Sequence, residues 1–305
     1  MRNMIFAGAV LAIASSFNGA SANDADYCTV LYLSGTYENA LPFCASAVRS
    51  KDVWAKVWLG EMYAEGLGVE KDYDKALILF RRAAEEENSS AQFNLGFMYD
   101  KGFGVEQSSI EAMQWYRLAA QQGNSRAQTK LAGKYLSGEG TNQNAIAAVH
   151  WYRAAAKKDD AQAQFMLGVM YTAGLGTIEN YSEAVRWYRA AAEQGLSVAQ
   201  MHLGVMYEKG FGVDKNYSEA VYWYRAAAKQ HDKEAQHNLG AMYANGKGVT
   251  QDNLRAHMWL NIAVSNGDET AIDNRSRIAA RMTPQQIAEA QSLAARCMNS
   301  NYNDC

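Results

Sequence analysis

Histidine and cysteine carry the chemistry that spacing alone can reveal here: five histidines, His150, His202, His231, His237 and His257, and four cysteines, Cys28, Cys44, Cys297 and Cys305. A zinc hydrolase needs two histidines one helical turn apart with a general base between them, and no H-E-x-x-H run is present. His202 and His237 lie 35 residues apart with Met201 and Asn238 beside them, but two good ligands fall short of the three or more that hold a metal. No two cysteines have C-x-x-C spacing, which argues against a thioredoxin-like redox site and against zinc held by closely spaced thiolates. No S-x-x-K run supplies a serine nucleophile with its lysine. The G-x-G pairs, from Gly66 and Gly68 to Gly246 and Gly248, join two helical patterns, whereas a phosphate loop joins a strand to a helix. The expectation is no catalytic residue, no metal and no cofactor.

What must be positioned is then a surface, and its elements follow from an internal period. The segment AQFNLGFMYDKGFGV, Ala91 to Val105, returns as AQFMLGVMYTAGLGT from Ala163 and as AQMHLGVMYEKGFGV from Ala199. The period is 36 residues, and the same frame fits Leu59, Leu95, Leu131, Leu167, Leu203 and Leu239, each followed four residues later by tyrosine. Ala91, Leu95, Met98 and Tyr99 make one helical stripe, which Gly102 and Gly104 stop. Ala112, Trp115 and Ala119 make a second, with Tyr116 and Ala120 beside it and Gly123 as its left-handed cap. One unit is an antiparallel helical hairpin too small to bury its own apolar residues, so units must stack. By the same spacing the ring of Trp187 turns into its own hairpin and Arg189 turns to solvent, so the Trp-Tyr-Arg triplets are expected to pack a core and not to stack a ligand.

The pattern A-x-x-x-L-G-x-x-Y-x-x-G-x-G-V, then A-x-x-W, then A-A-x-x-G-x-x-x-A, resembles the Sel1-like repeat. The resemblance implies an all-α solenoid, a right-handed superhelix related to tetratricopeptide arrays, with a concave face used for protein contacts. Some cysteine-rich relatives have been called β-lactamase-like, which makes hydrolysis the enzyme reading, but they carry a cysteine pair in each repeat that this chain lacks. The third unit departs from the pattern at Ala132, Thr141 and Ala145, and the first has Leu79 and Phe80 for the Trp-Tyr pair. Glu87, Asp159 and His231 stand where Gly123, Gly195 and Gly267 end helices, so those three ends are expected to extend or fray.

Around the repeats, taken as residues 55–266, the chain divides into a signal peptide at 1–22, an N-terminal capping hairpin at 23–54 and C-terminal capping helices with a tail at 267–305. The signal reading rests on Arg2, the apolar stretch from Met4 to Ala14 and the small residues Ala20-Ser21-Ala22. No later segment is apolar for the roughly 20 residues of a membrane span. Glu269 to Met282 reads as a helix, and Thr283-Pro284-Gln285-Gln286 opens another with a capping box. An even number of cysteines in an exported chain suggests disulfides, and of three connectivities Cys28 with Cys44 and Cys297 with Cys305 is expected. Residues 28 and 44 are symmetric about the turn Ser34-Gly35-Thr36, and the tail from Asn299 can fold back to Cys297.

With 29 lysines and arginines against 32 acidic residues, and no basic stripe, neither nucleic acid nor an anionic membrane surface is an expected partner. The remaining function is recognition of another protein by an exported scaffold, a periplasmic adaptor or regulator first, and second a secreted or surface factor binding a host protein. A binder of cell-wall carbohydrate is the third reading. The expected contact residues form a second stripe on the first helices: Phe93 and Phe97, then Phe165 and Val169, Met201 and Val205, and His237, interrupted at Thr129 and Gly133. Asp100, Lys101, Glu208 and Lys209 would rim it. Packing between neighbouring first helices is the structural alternative for the same stripe.

Overall fold

The computed structural model describes residues 23–303 and Cys305, so the signal-peptide expectation lies outside the described residues. The described residues contain sixteen helices and no strand: α1 Asp24–Leu33, α2 Tyr37–Arg49, α3 Val53–Glu65, α4 Tyr73–Glu85, α5 Ser89–Lys101, α6 Ser109–Gln121, α7 Ser125–Ser137, α8 Ala145–Ala156, α9 Ala161–Ala173, α10 Tyr181–Glu193, α11 Ser197–Lys209, α12 Tyr217–Ala228, α13 Lys233–Asn245, α14 Asn253–Ser265, α15 Ala271–Ala279 and α16 Pro284–Asn299. The architecture is an all-α solenoid of antiparallel hairpins. It falls into two compact units, one reaching Asn144 and one beginning at Ala145, so the division lies inside the third repeat, between α7 and α8.

Local chemistry sets the helix ends. In the first unit Asn88 caps α5 by accepting from the backbone of Ser90 and Ala91, and Ser108 caps α6 by accepting from Glu111. Gly102 ends α5 at φ 72°, and a side chain on Gly104 would meet Tyr73 Cβ at 3.1 Å, so the second glycine of the pair lets the loop lie against the hairpin before it. Glu87, Asp159 and His231 correct the expectation of frayed ends. They adopt φ of 59°, 59° and 65°, the left-handed conformation glycine would take, and α4 stops in register with the glycine-capped helices while α8 and α12 stop one residue before it. For a residue with a Cβ that conformation costs about 1–2 kcal/mol, which the surrounding packing must offset.

Packing within the hairpins corrects the role given to tryptophan. Tyr116, Tyr188 and Tyr224, together with Phe80 at the same place, are 0–2% exposed, whereas Trp115, Trp151, Trp187 and Trp223 are only half-buried. The tyrosine ring covers the glycine of the first helix: a Cβ on Gly96 would fall 2.8 Å from Tyr116 Cδ1, and one on Gly204 would fall 2.6 Å from Tyr224 Cδ1. Trp115 packs instead on the apolar cluster that Phe80 and Leu95 share, and Trp223 on the cluster of Tyr188 and Leu203, so each tryptophan reaches the seam with the preceding hairpin. Trp259 alone of the row is fully buried, near the C-terminal cap. Two hydroxyls of the tyrosine row find partners sixteen residues earlier, Tyr188 bonding Thr172 at 3.2 Å and Tyr224 donating to Glu208 at 2.8 Å, whereas the buried Tyr116 hydroxyl has no hydrogen-bond partner. Where that partner position holds Ala64 or Ala244, the ring position holds Phe80 or Leu260, although Tyr152 keeps its hydroxyl opposite Leu136. An apolar residue there leaves no hydroxyl to satisfy.

Polar ladders join one repeat to the next. In the first unit Gln92 donates to the carbonyl of Ala84, in the last turn of α4, and accepts from Gln122 at 2.8 Å. In the second unit Gln164, Gln200 and Gln236 donate in the same way to Ala156, Ala192 and Ala228, and accept from Gln194, Gln230 and Asn266. Each of these carbonyls already accepts from the backbone three residues on, and the following helix adds a second donor to it. Arg189 does not run free to solvent as its rotation on the helix had suggested: it donates to the Tyr207 hydroxyl at 2.7 Å, as Arg117 does to Tyr135 and Arg225 to Tyr243.

Both ends are closed by disulfides. Cys28 and Cys44 join α1 to α2 with their Cα atoms 4.7 Å apart, and Cys297 at the end of α16 joins Cys305 across 5.1 Å. The helix expected from Glu269 starts later, at Ala271, because the Asp268 carboxylate accepts from the backbone and hydroxyl of Thr270 and holds a turn there. Thr283 and Gln286 form the capping box of α16.

Candidate functional site

In the first unit, α3, α5 and α7 are successive first helices, and a cavity of about 290 Å³ opens on them. Its lining includes Phe93, Phe97 and Met98 from α5, Glu61 and Glu65 from α3, Arg126 from α7, and Tyr32, Tyr73 and Phe103. Phe93 is 3% exposed, its ring 5.7 Å from that of Tyr116 and covered by the Arg126 guanidinium at 4.3 Å. Phe97 is half-buried and meets Phe103 edge-on at 6.0 Å, and Phe103 stacks on Tyr73 at 4.7 Å. Glu61 is held at both oxygens, by the Tyr32 hydroxyl at 2.5 Å and by Asn94 at 2.9 Å. Burial, reinforced by the Glu61 carboxylate, pushes the Tyr32 phenol well above its ordinary value, so it stays a hydrogen-bond donor.

In the second unit, the stripe on α9, α11 and α13 is mostly packed. Met201 is buried in the core that runs to the C-terminal cap, with Val205 packed on it, while Phe165 and Val169 are half-buried beside the cluster of Tyr188 and Leu203. His202 and His237 turn to different partners. The His202 ring lies 5.2 Å from Phe165 and 5.4 Å from Tyr188, with Nδ1 2.9 Å from the carbonyl of Val198. His237 Nδ1 lies 2.8 Å from Asp268 and Nε2 lies 2.7 Å from the amide of Asn274, an arrangement in which Nδ1–H donates and Nε2 accepts. Burial raises the Asp268 carboxyl, but the bonds from Thr270 and His237 prevail and hold it below the ordinary carboxylate range.

The expected rim is only partly on the surface. Asp100 is ion-paired with Lys134, which also meets Glu139 at 2.8 Å, and Glu208 accepts from Tyr224. Lys134 occupies the place that Met98, Met170 and Met206 fill in other repeats and is buried. Burial alone would lower its ammonium, and the two carboxylates hold it above its ordinary value instead. Lys101 and Lys209 are exposed.

Reading the stripe as purely apolar missed the polar members of the cavity, Glu61, Asn94 and Arg126. A signal existed: at intervals of one repeat the row through Phe97 reads Glu61, Phe97, Gly133, Val169, Val205 and Ala241, and Glu61 is its one acid. Arg126 had no such sign, because it reaches Phe93 from the following repeat.

The Sel1 repeat family matches residues 55–88, 89–124, 125–160, 161–196, 197–232 and 233–268. Among solved structures the chain is similar to c5321, a protective antigen present in uropathogenic Escherichia coli strains and displaying an SLR fold, with 32% identity and a TM-score of 0.84. That likeness covers 92% of this chain and 62% of the antigen's, so this chain spans under two thirds of it. It is also similar to a Sel1 repeat protein from Oxalobacter formigenes, at 34% identity and a TM-score of 0.71, covering 80% of this chain and 97% of that one. No curated protein matches the chain. Sel1 solenoids are generally non-enzymatic scaffolds of protein–protein interaction, and no helix among the described residues is long and apolar enough to cross a membrane. With six matched repeats and this likeness over most of its length, the chain belongs to the Sel1 repeat family.

Proposed function

We propose that the protein is an exported scaffold that holds another protein against its first helices, the side that the family resemblance makes concave. The observation that carries this is the cavity of the first unit, where the half-buried ring of Phe97 and the aromatic pair Tyr73 and Phe103 stand beside charged groups. An apolar anchor site with a polar edge is the arrangement that protein interfaces use. In the second unit Phe165, Val169 and Val205 stand half-buried at repeat-equivalent positions, with Met201 buried and His237 half-buried beside them, and Phe93 is buried under the row of the first unit. Two disulfides suit an oxidising compartment, and the periplasm is the first reading. The likeness to a protective antigen favours the second, a secreted or surface factor that meets a host protein.

Cell fractionation followed by crosslinking and pull-down tests the proposal. Phe97→Asp and Val169→Asp are expected to keep helical content and melting behaviour and to lose most partner capture. Capture at full strength by both folded variants would place the contact elsewhere, and recovery only with peptidoglycan would replace a protein partner by the wall.

A further inference from the structure

We infer that the cavity of the first unit receives one basic side chain, an arginine or a lysine, of the bound polypeptide; this rests on the reading of the first helices as the protein-binding side. Its volume of about 290 Å³ lies at the small end of ligand pockets, which run from roughly 300 to 1,000 Å³, and suits a side chain better than a cofactor. Its walls are aromatic, with Tyr73 stacked on Phe103 and Phe97 edge-on to it. Ring faces attract cations through their quadrupole. Two carboxylates stand at the same cavity: Glu61, whose position Tyr32 and Asn94 fix, and Glu65, which is exposed at the end of α3. A third observation is that the cavity already holds a cation of its own chain. The Arg126 guanidinium lies 4.3 Å from the centre of the Phe93 ring and, among the described residues, makes no ion pair. An acidic ligand could meet Arg126 but would face two carboxylates against one guanidinium, whereas a basic ligand meets two carboxylates and the ring faces.

Arg126 is therefore the internal competitor of the ligand. Its removal leaves the ring of Phe93 open and deletes the one positive charge among the lining residues, Lys71 lying 5.6 Å from the Tyr73 ring outside that lining, so it strengthens binding of a cation and weakens binding of an anion. That sign separates the proposal from a merely apolar pocket.

The experiment titrates the full mature chain, observed by nuclear magnetic resonance of its backbone amides, with three capped tripeptides of the form Gly-X-Gly in which X is arginine, norleucine or glutamate, and with free arginine. The arginine peptide is expected to bind best, to shift amides of α3 and α5, and to weaken with added salt. Glu65→Gln should weaken it about three- to tenfold and Arg126→Ala should tighten it by about the same factor. Both positions are exposed, so both variants should fold, and circular dichroism checks that they do. Equal binding of the norleucine peptide, preference for the glutamate peptide, or weaker binding of the arginine peptide by Arg126→Ala would each overturn the inference. Free arginine binding as tightly as the capped peptide would make the ligand the amino acid and overturn the polypeptide source. If the arginine preference fails while Phe97→Asp still abolishes partner capture, the cation site falls and the binding side stands. If the preference holds while capture survives Phe97→Asp, the protein-binding reading falls instead.

Discussion

The interior of the hairpins and the outer row of the first helices are built on the same 36-residue period and obey it to different degrees. Inside, Leu95, Leu167 and Leu203 are fully buried beside Gly96, Gly168 and Gly204, and Tyr116, Tyr188 and Tyr224 close over the glycines. Outside, successive repeats place Glu61, Phe97, Gly133, Val169, Val205 and Ala241 at one position. The difference follows from what each side touches. Within the hairpin these side chains are fully buried and an added Cβ would meet a tyrosine ring, so one methylene more or less is felt. On the outer row each position is only half-buried, and the residue is freer to vary. Individual character belongs to the outer row, the side on which recognition is proposed.

The largest effect that would sharpen this contrast is at the tyrosine row. Tyr188→Ala should cost about 3–5 kcal/mol in denaturant unfolding, as expected for deleting a fully buried ring. Trp187→Ala, at a half-buried ring on the seam, should cost about 1–3 kcal/mol. A larger loss for Trp187 would break the comparison and return the tryptophans to the centre of the core. Next in size is Gly96→Ala, where the added methyl meets the Tyr116 ring and the loss should be about 1–3 kcal/mol; an unchanged melting curve would mean that the interior has room to give. The smallest effect is a gain. Glu87→Gly relieves a left-handed glutamate at φ 59° and should raise stability by about 0.5–1 kcal/mol, read as a higher denaturant midpoint with an unchanged slope. A destabilised variant would show that the Glu87 side chain contributes more than its backbone costs.

Much of this was legible from residues alone. The G-x-G pairs and the capping box at Thr283 act within a few residues of themselves, so those helix ends could be read directly. Misreadings arose where an outcome depended on a neighbour. Glu87, Asp159 and His231 look like failed caps until the packing that holds them at positive φ is present. Asp100 and Glu208 look like surface acids until Lys134 and Tyr224 turn them inward.

The sequence by itself determined the repeat, its two-helix unit, the atypical ends and the half-turn symmetry that sets Cys28 opposite Cys44, because periodicity and local backbone preference carry that information. Only the tertiary structure decided that Tyr116 and not Trp115 covers Gly96, that Arg189 bonds Tyr207, and that Arg126 covers Phe93 at a cavity edged by Glu61. The reason is rotational. Adjacent residues on a helix differ by about 100°, and a stripe of apolar positions is about that wide, so its pattern does not say which of two neighbours faces the core. That choice is made when the next helix docks, and with it the identity of the residues left open to a partner.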